Sequence, residues 1–326
     1  MIITRTPLRI SLGGGGTDLP SYYTQRGGLV TSAAINRYIY VGVNRTFSGD
    51  YFLKYSDMEL RRSVEEISHP IIREVLRAHP IGPALELVSL ADIPAGTGLG
   101  SSGSFTVGLL RAVYAFKQEH VAASKLAEEA CEIEMVKLGR PVGKQDQYIA
   151  AFGGLTCFEF HRDGRVTVSP LQIPHPALYD LEEHLLLFFT GYSRNAEDQL
   201  RQQDERSDAG DSAMMANLDD MAAIGRQVRE ALESGDNSGF AHLLHEHWLR
   251  KRDRSVGMSS SAIDHWYDVG MANGALGGKL VGAGGGGFLL FYAQNSNTLR
   301  MAMEKERLTE VRFKFDFDGS TVLVRD

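Results

Sequence analysis

Apolar and polar side chains alternate over residues 1–12, the pattern of a strand with one buried face. Val, Ile, Tyr, Leu and Phe are concentrated in further short segments, which predict strands at 29–43, 51–55, 85–91, 152–160, 165–170 and 185–190. Two more strands are predicted at 279–281 and 288–292, on either side of a glycine-rich stretch. Strands are therefore expected near both ends of the chain as well as in its middle.

Apolar residues recur with helical spacing in the segments between these strands. The predicted helices cover residues 71–78, 105–118, 122–138, 211–234, 237–251, 260–273 and 298–308. Pro170, Pro174 and Pro176 interrupt the pattern near the middle of the chain. Because such interruptions commonly separate domains, we expect an N-terminal domain over residues 1–175 and a helix-rich C-terminal domain over residues 176–326.

The composition is that of a globular protein with a substantial core. The chain has 326 residues, of which 43% are hydrophobic and 23% charged, and this excludes the disordered, collagen-like and disulfide-stapled classes. A formal net charge of -7 provides no basic surface for a nucleic-acid backbone, so nucleic acid is not an expected partner. The two cysteines, Cys131 and Cys157, are expected to be buried thiols.

Membrane association is not expected either. The apolar runs are much shorter than the roughly 20 residues that a membrane-spanning helix needs. Arg5 and Arg9 interrupt the N-terminal segment, which lacks the apolar core of a signal peptide. We therefore expect a cytoplasmic protein with no membrane partner, while the sequence leaves the oligomeric state open.

Three glycine clusters, at 13–16, 96–103 and 282–287, are the strongest chemical signal in the chain. The middle cluster lies between a predicted strand and a predicted helix. The first turn of a helix carries unpaired N–H groups and a partial positive charge, which together form an anion site. Ser101, Ser102 and Ser104 add hydroxyls that can bind phosphate or a hard cation such as Mg²⁺. The loop is therefore expected to bind phosphate, and a tight turn that only packs helix against strand is the alternative.

Other nucleotide-binding motifs fit less well. Gly98, Gly100 and Gly103 satisfy the dinucleotide pattern GxGxxG, but a second helix follows the first one where that fold requires a strand. The nearest Walker A candidate, at 277–280, has Leu280 where a hydroxyl is required. The motifs of protein kinases are missing as well. A phosphoryl-transfer enzyme would need a different architecture.

The segment Pro94-Ala95-Gly96-Thr97-Gly98-Leu99-Gly100-Ser101-Ser102-Gly103-Ser104 resembles the signature ATP loop of the GHMP kinases, the superfamily of galactokinase, homoserine kinase, mevalonate kinase and phosphomevalonate kinase. Residues 9–18 resemble the first motif of its sugar-1-kinase branch, except that Gly15 and Gly16 replace a Glu-His pair whose contacts cannot be carried over. Residues 282–287 resemble the third motif. Within the superfamily, residues 13–18, 54–74, 143–147 and 245–248 resemble the D-glycero-D-manno-heptose 7-phosphate kinases, and L-fucose kinases share parts of this pattern.

The resemblance implies an α+β, two-domain GHMP kinase fold. Its N-terminal α/β domain is similar to the second domain of ribosomal protein S5, and its C-terminal α+β domain is ferredoxin-like. ATP and a sugar would meet in the cleft between the two domains.

The resemblance also implies roles for individual residues. Asp146 would be the general base for the anomeric hydroxyl, with Arg9 orienting the acceptor, and Ser102 with Glu134 would bind Mg²⁺. The ATP-binding residues would be Pro94, Gly96, Thr97, Gly98, Leu99, Gly100, Ser101, Ser102, Gly103 and Ser104. Residues contacting the acceptor would be Gly14, Gly15, Gly16, Thr17, Asp18, Gly284 and Gly285, and the candidates for holding an acceptor phosphate are Lys144, Arg194, Lys251 and Arg252.

A structural role is the alternative for each of these residues. Asp146 could be a helix cap or turn residue, Arg9 a surface ion pair and Asp18 a turn acid. Gly284 could belong to a plain hairpin, and the basic residues could be solvated surface charges. The expected adenine pocket lies near residues 51–56.

The sequence therefore predicts an ATP- and Mg²⁺-dependent kinase that converts D-glycero-D-manno-heptose 7-phosphate into the 1,7-bisphosphate. A kinase of another sugar such as L-fucose is the first alternative. A non-catalytic protein of the same fold that senses sugar and ATP is the second, and a dinucleotide-dependent oxidoreductase is the third.

Overall fold

Two β-sheets with helices packed on their faces organise the chain. The computed structural model describes residues 1–191, 196–255 and 257–326. Its strands are β1 (Ile2–Gly13), β2 (Gly28–Arg45), β3 (Tyr51–Lys54), β4 (Met58–Arg61), β5 (Leu85–Ala91), β6 (Leu155–Phe160), β7 (Val166–Pro170), β8 (Leu185–Gly191), β9 (Ala275–Val281), β10 (Gly287–Ala293), β11 (Thr309–Glu310) and β12 (Thr321–Arg325). Its α-helices are α1 (Pro20–Arg26), α2 (Pro70–Ala78), α3 (Ser101–Phe116), α4 (Ala123–Cys131), α5 (Gln145–Phe152), α6 (His175–His184), α7 (Ala196–Asp208), α8 (Ser212–Ser234), α9 (Asn237–Arg252), α10 (Ser261–Ala272) and α11 (Ser296–Lys305).

The first sheet is built around the long strand β2. β1 pairs with β2 along most of its length, and β12, β1, β2, β5, β3 and β4 follow one another across the sheet. The other edge of β2 is shared, because β6 pairs with its first part and β5 with its last part. All pairs are antiparallel except β3 with β5. β2 therefore holds together two branches of one sheet.

The second sheet has four antiparallel strands in the order β11, β8, β10, β9. Helices connect β8 to β9 and β10 to β11, while β9 and β10 form a hairpin around the third glycine cluster. Numbered in chain order, β8, β9, β10 and β11 are strands 1, 2, 3 and 4 of this sheet. Their order across the sheet is therefore 4-1-3-2. This is the arrangement of a ferredoxin-like domain, as the resemblance implies.

Both halves of the chain contribute to the layer around the first sheet. The last strand, β12, pairs with β1, and α8 packs against β1 and β2. The predicted boundary near residue 175 precedes α6, yet these two later elements lie on the first sheet. The chain thus leaves the first sheet after β7, which pairs with β6, and returns to it with β12, which lies beside β1.

The structure differs from the sequence-based expectation at residues 139–152, for which a turn and the start of a strand were predicted. An α-helix, α5, begins at Gln145, and β6 begins only at Leu155. The break falls at Gly153 and Gly154, whose φ angles of 74° and 71° favour glycine. The apolar run before this break is helical because it packs against α3 and α4.

A second difference concerns the helix predicted over residues 122–138. α4 ends at Cys131 and continues as a π-helical turn, Glu132–Lys137. Helices α1, α6 and α7 were not predicted, since α1 is short, α6 begins among prolines and α7 is almost entirely polar. These segments lack the long amphipathic pattern by which a helix is recognised in a sequence.

Two expectations about the chain as a whole are met. Cys131 and Cys157 are buried free thiols. None of the helices among the described residues combines the length and the apolar character needed to span a bilayer.

Packing of β9 against α9 depends on the absence of a side chain at Gly277. A β-carbon added there would overlap the carbonyl oxygen of Ala241 in α9. We expect Gly277→Ala to lower the free energy of unfolding by about 1–3 kcal/mol, because α9 and β9 would have to move apart. Chemical denaturation checks this. The control is Gly42→Ala in β2, where a β-carbon meets only ordinary contacts with Val88, and equal destabilisation of both variants would contradict the interpretation.

Candidate active site

A cavity of about 770 Å³ opens where the loop before α3, the first turn of α5 and the end of α9 meet. This volume lies within the range of small-molecule sites. Its walls include the first glycine cluster after β1, the glycine loop before α3, and the segment from β9 into the third cluster. The three glycine clusters singled out in the sequence therefore surround one space.

The second and third glycine clusters pack backbone against backbone. A β-carbon on Gly282 would lie 2.5 Å from the Cα of Gly98, and one on Gly287 would overlap the carbonyl oxygen of Thr97. The sequence needs glycine there because any side chain would separate the two loops. This contact joins the second sheet to the loop that precedes α3.

The loop before α3 presents a helix N-terminus to the cavity. Gly100 precedes α3 in the left-handed region with a φ of 77°, and α3 begins at Ser101. The loop is anchored from outside, since the backbone N–H of Arg9 donates to the carbonyl oxygen of Leu99 at 3.0 Å. Unpaired N–H groups of the first helical turn are thus available to an anion.

The ten predicted ATP-binding residues fall into two groups. Those that line the cavity are Pro94, Gly96, Gly98, Gly100, Ser101 and Ser102. The hydroxyl of Thr97 instead donates to the carbonyl oxygen of Pro94 at 3.0 Å, and the hydroxyl of Ser104 donates to that of Pro7 at 2.7 Å. Both hydroxyls therefore stabilise the loop, and the predicted phosphate contact of Ser104 has no geometric support. Leu99 is fully buried, and Gly103 is the point at which α3 approaches α5.

Asp146 and Arg9 form a two-pronged ion pair beside the start of α3. Nε and Nη2 of Arg9 donate to the two carboxylate oxygens of Asp146 at 2.7 and 2.9 Å. The remaining guanidinium nitrogen donates to the carbonyl oxygen of Gly98 at 2.6 Å. A β-carbon on Gly103 would lie only 2.8 Å from the Cβ of Asp146, so the aspartate is close to the first turn of α3.

Asp146 lies in the first turn of α5, where the helix dipole favours a negative charge. Its side chain is 30% exposed, whereas that of Arg9 is 8% exposed. Arg9 is therefore not the surface ion pair given as its alternative. Each carboxylate oxygen of Asp146 keeps a lone pair beyond its bond to Arg9, which leaves room for a hydroxyl donor.

A second polar cluster surrounds Glu134, a fully buried side chain in the π-helical turn. Ser102 donates its hydroxyl to one carboxylate oxygen, and Gln147 Nε2 donates to the other at 3.0 Å. Arg140 Nη1 lies 2.9 Å from the Ser102 hydroxyl and 3.4 Å from Glu134 Oε2, the carboxylate oxygen to which Ser102 donates. Burial raises the pKa of Glu134, while its hydrogen-bond partners and Arg140 oppose this effect.

Ser102 and Glu134 supply a hydroxyl and a carboxylate within one cluster, the donor types that Mg²⁺ accepts. Within residues 1–191, 196–255 and 257–326, no group of three or more His, Cys, Asp or Glu side chains could hold a metal ion. Mg²⁺ usually binds through one or two protein ligands plus substrate phosphates and water, so this sparse set fits it. The Arg140 guanidinium occupies the position next to both oxygens, which keeps the buried carboxylate compensated.

The first glycine cluster and the two residues that follow it divide into cavity residues and turn residues. Gly15, Gly16 and Asp18 line the cavity, whereas Gly14 and Thr17 do not. The hydroxyl of Thr17 lies within hydrogen-bond distance of the carbonyl oxygens of Gly14 and Leu29, and Thr17 is fully buried. We therefore correct the predicted contact between Thr17 and the acceptor, because this hydroxyl is used to shape the turn.

Asp18 has both structural and cavity-facing contacts. Its carboxylate accepts from the backbone N–H groups of Gln145 at 3.1 Å and Gly16 at 3.2 Å. Burial raises the pKa of Asp18, and the negative charge of Asp146 acts in the same direction, although the backbone bonds oppose both. Asp18 thus ties the first glycine cluster to the start of α5.

The basic residues proposed from the sequence have different fates. Lys144 donates its amine to the carbonyl oxygen of Gly164 at 2.7 Å and does not line the cavity, so it is removed from the candidate site. Arg252 pairs with Asp264 near the surface. Arg194 lies outside the described residues. Lys251 is buried and lines the cavity.

Gly284 and Gly285, proposed as acceptor contacts, lie behind the cavity wall. The backbone N–H of Gly285 donates to the carbonyl oxygen of Met258 at 3.0 Å, and a β-carbon on Gly284 would overlap the Met258 sulfur. Gly282 and Ala283 of the same cluster line the cavity instead. The residues of this cluster that can contact an acceptor are therefore Gly282 and Ala283, two positions before those proposed from the sequence.

The cavity-lining residues that were not predicted from the sequence as chemical groups include Arg140, His247, Arg254 and Lys279. Lys279 had a recognisable signal, because a lysine inside an otherwise apolar strand needs a polar reason to be there. Arg254 follows Lys251 at helical spacing, which also could have indicated a shared direction. Arg140 and His247 carried no distinctive pattern.

One end of the cavity is largely apolar. Its lining includes Ile39, Tyr55, His69, Ile71, Leu90, Ile93 and Phe105. Tyr55 and Ser56 belong to the region expected to hold adenine, and both line this end. A flat apolar base could therefore bind here, with its phosphates directed towards the start of α3.

Comparison with protein-family models gives the class. Residues 66–154 match the model described as GHMP kinases N terminal domain, and residues 228–305 match GHMP kinases C terminal. The chain belongs to the GHMP kinases and is an ATP-dependent phosphotransferase, which confirms the family and the fold expected from the glycine motifs.

Individual relatives match most of the chain. It is 30% identical over 98% of its length to 97% of the D-glycero-alpha-D-manno-heptose 7-phosphate kinase of Campylobacter jejuni. A solved D-glycero-D-manno-heptose 1-phosphate kinase from Bacteroides thetaiotaomicron superposes with a TM-score of 0.80 at 26% identity, over 99% of both chains. The L-fucokinase/L-fucose-1-P guanylyltransferase of Bacteroides fragilis is 26% identical over 89% of this chain and 34% of its own.

Loss of the Glu134 charge provides a test of the metal assignment. We expect Glu134→Gln to weaken Mn²⁺ binding, measured by calorimetry with a non-hydrolysable ATP analogue present, by roughly tenfold or more because a ligand charge is removed. The control is Glu132→Gln in the same turn, whose side chain is 58% exposed and paired with Lys137. Equal Mn²⁺ affinity in the two variants would remove Glu134 from the metal site.

Proposed function

We propose that this protein transfers the γ-phosphoryl group of ATP to the anomeric hydroxyl of D-glycero-D-manno-heptose 7-phosphate and forms the 1,7-bisphosphate. The supporting observation is the Asp146–Arg9 pair, which lies in the same cavity as the N-terminus of α3. An anion site and a carboxylate next to each other are what in-line phosphoryl transfer to an alcohol requires.

Unpartnered polar groups support a polyhydroxylated acceptor. The hydroxyl of Ser11 and the amide nitrogen of Gln145 are buried, and no described residue gives either a hydrogen bond. Both residues line the cavity together with Asp18. Because buried polar atoms are normally satisfied, these groups are suited to the hydroxyls of a sugar.

In the proposed reaction, Asp146 accepts the proton of the acceptor hydroxyl as its oxygen attacks the γ-phosphorus. The bond between that phosphorus and the oxygen bridging to the β-phosphate breaks, and ADP leaves. Arg9 holds the Asp146 carboxylate in one orientation through two hydrogen bonds. Mg²⁺ bound by Ser102 and Glu134 would spread the charge on the triphosphate.

The identity of the acceptor rests on the relatives. Two of the relatives are named after heptose phosphates. One name gives heptose 7-phosphate and the other gives heptose 1-phosphate. The L-fucokinase relative supports the alternative that the acceptor carries no phosphate. The proposed base Asp146 and the unpaired polar groups of Ser11 and Gln145 are compatible with each of these acceptors.

A panel of acceptors distinguishes these possibilities. ADP release would be followed by a coupled assay with heptose 7-phosphate, heptose 1-phosphate, heptose and L-fucose. We expect heptose 7-phosphate to give a kcat/KM about tenfold or more above the unphosphorylated sugars, since binding of its phosphate adds to binding of the ring. Turnover of L-fucose alone would overturn the heptose assignment while leaving the kinase assignment intact.

Removal of the base should separate binding from transfer. We expect Asp146→Asn to lower kcat by about 10²–10⁴-fold, because the amide cannot accept the hydroxyl proton. Binding of a fluorescent ATP analogue should stay close to that of the unchanged protein, which also shows that the variant is folded. Undiminished turnover would exclude Asp146 as the base.

A further inference from the structure

We propose that Lys251, Arg254, Lys279 and His247 form a binding site for a phosphate monoester, and that its occupant is the phosphate group already present on the acceptor. We name these four residues the basic cluster. The inference rests on the proposed function for the identity of the occupant, but the cluster itself is defined by burial and charge.

All four side chains are buried and line the cavity. Their residues are between 1% and 6% exposed, which is unusual for lysine and arginine. Two come from the end of α9 and the residues just after it, one from the middle of α9 and one from β9. The close packing of α9 on β9 at Gly277 therefore brings them together.

The charges of the cluster are poorly compensated. Within the described part of the chain, no carboxylate forms an ion pair with Lys251, Arg254 or Lys279. Lys251 donates to the carbonyl oxygens of Leu280 and Gly282, and Lys279 has the His247 ring at 3.4 Å as its partner. Buried cations without a counter-charge are costly, so an anionic ligand explains why the chain retains them.

The pKa shifts within the basic cluster agree with an anionic ligand. Burial lowers the pKa of Lys251 to about 7, and the neighbouring Arg254 and Arg9 act in the same direction. Burial and the neighbouring Lys251, Arg9 and Arg254 hold the pKa of Lys279 well below its usual range, and burial lowers the pKa of Arg254 to about 10. Asp18 is the acid that acts on Arg254, and it opposes this effect. A bound dianion would raise the pKa values of Lys251, Arg254 and Lys279, because it favours their charged forms.

The position of the cluster favours the acceptor over the nucleotide. Arg254 Nη2 donates to the carbonyl oxygen of Gly15 at 3.3 Å, within the first glycine cluster, and Asp18 follows this cluster by two residues. Its Nη1 donates to Gln203, whose amide nitrogen in turn donates to the carbonyl oxygen of Gly16. The nucleotide has its own anion site at the start of α3 and its apolar site around Phe105. The basic cluster is thus left for a second phosphate.

Lys279 is the residue to change, because Arg254 also donates to Asn217 and its loss would disturb packing. In phosphate-free buffer we expect Lys279→Met to have a Tm equal to or above that of the unchanged protein, since a buried amine is replaced by an apolar chain of similar length. Inorganic phosphate should raise the Tm of the unchanged protein, and that shift should be lost in Lys279→Met. The control, Lys305→Met at the exposed end of α11, should retain it.

Two further arms distinguish the source of the phosphate. Phosphate binding should persist with a saturating non-hydrolysable ATP analogue, whereas its abolition would assign the cluster to the nucleotide and overturn the proposal. In the kinase assay, Lys279→Met should raise the KM of the phosphorylated acceptor by about tenfold or more with little change in kcat or in the KM of ATP.

The outcomes separate this inference from the proposed function. A lower Tm of Lys279→Met in phosphate-free buffer, or an unchanged phosphate shift, would overturn the basic cluster whatever the enzyme phosphorylates. If no heptose phosphate were turned over but the phosphate shift depended on Lys279, the acceptor assignment would fail while the anion site would stand.

Discussion

The ion pair between Arg9 and Asp146 is the interaction on which the rest of the site depends. Arg9 uses its side chain to hold Asp146 and Gly98, and its backbone to hold Leu99. One residue of β1 therefore fixes α5, the loop before α3 and, through Gly98, the third glycine cluster. Only a planar guanidinium has enough donors in fixed directions for this arrangement, so a lysine at the same place could not replace it.

The cavity collects groups that a fold would otherwise avoid. An aspartate whose pKa is raised by burial and several buried cations border one space, and a fully buried glutamate lies next to it, bonded to the cavity-lining Ser102. Each is energetically unfavourable unless a partner of opposite charge is present. Nucleotide phosphates, a metal ion and a charged acceptor would supply such partners, so the free protein keeps a site that is complementary to its ligands rather than optimal for its own stability.

Much of this architecture could be predicted from local patterns in the sequence. The other features depend on tertiary contacts, which local patterns do not reveal. Glycine clusters and strand alternation indicated the three loops and most strands correctly, because close backbone approach and a half-buried strand each leave a direct trace in residue type. The serine hydroxyls could not be sorted in the same way, since Ser102 faces the cavity and Ser104 faces Pro7 only because of how α3 lies on β1. Arg254 and Lys279 lie far from Asp18 in the chain, and only the packing of α9 on β9 brings them to the same cavity.

The π-helical turn at Glu132–Lys137 has a consequence for how this chain can change over evolutionary time. A π-turn arises when a helix accommodates one additional residue, and each residue of a regular helix turns the following side chains by about 100°. Deletion of a single codon in this turn could restore regular geometry while rotating Glu134 away from Ser102. One small insertion or deletion could therefore create or remove the contact between Ser102 and Glu134, the two proposed metal ligands, without substituting either residue.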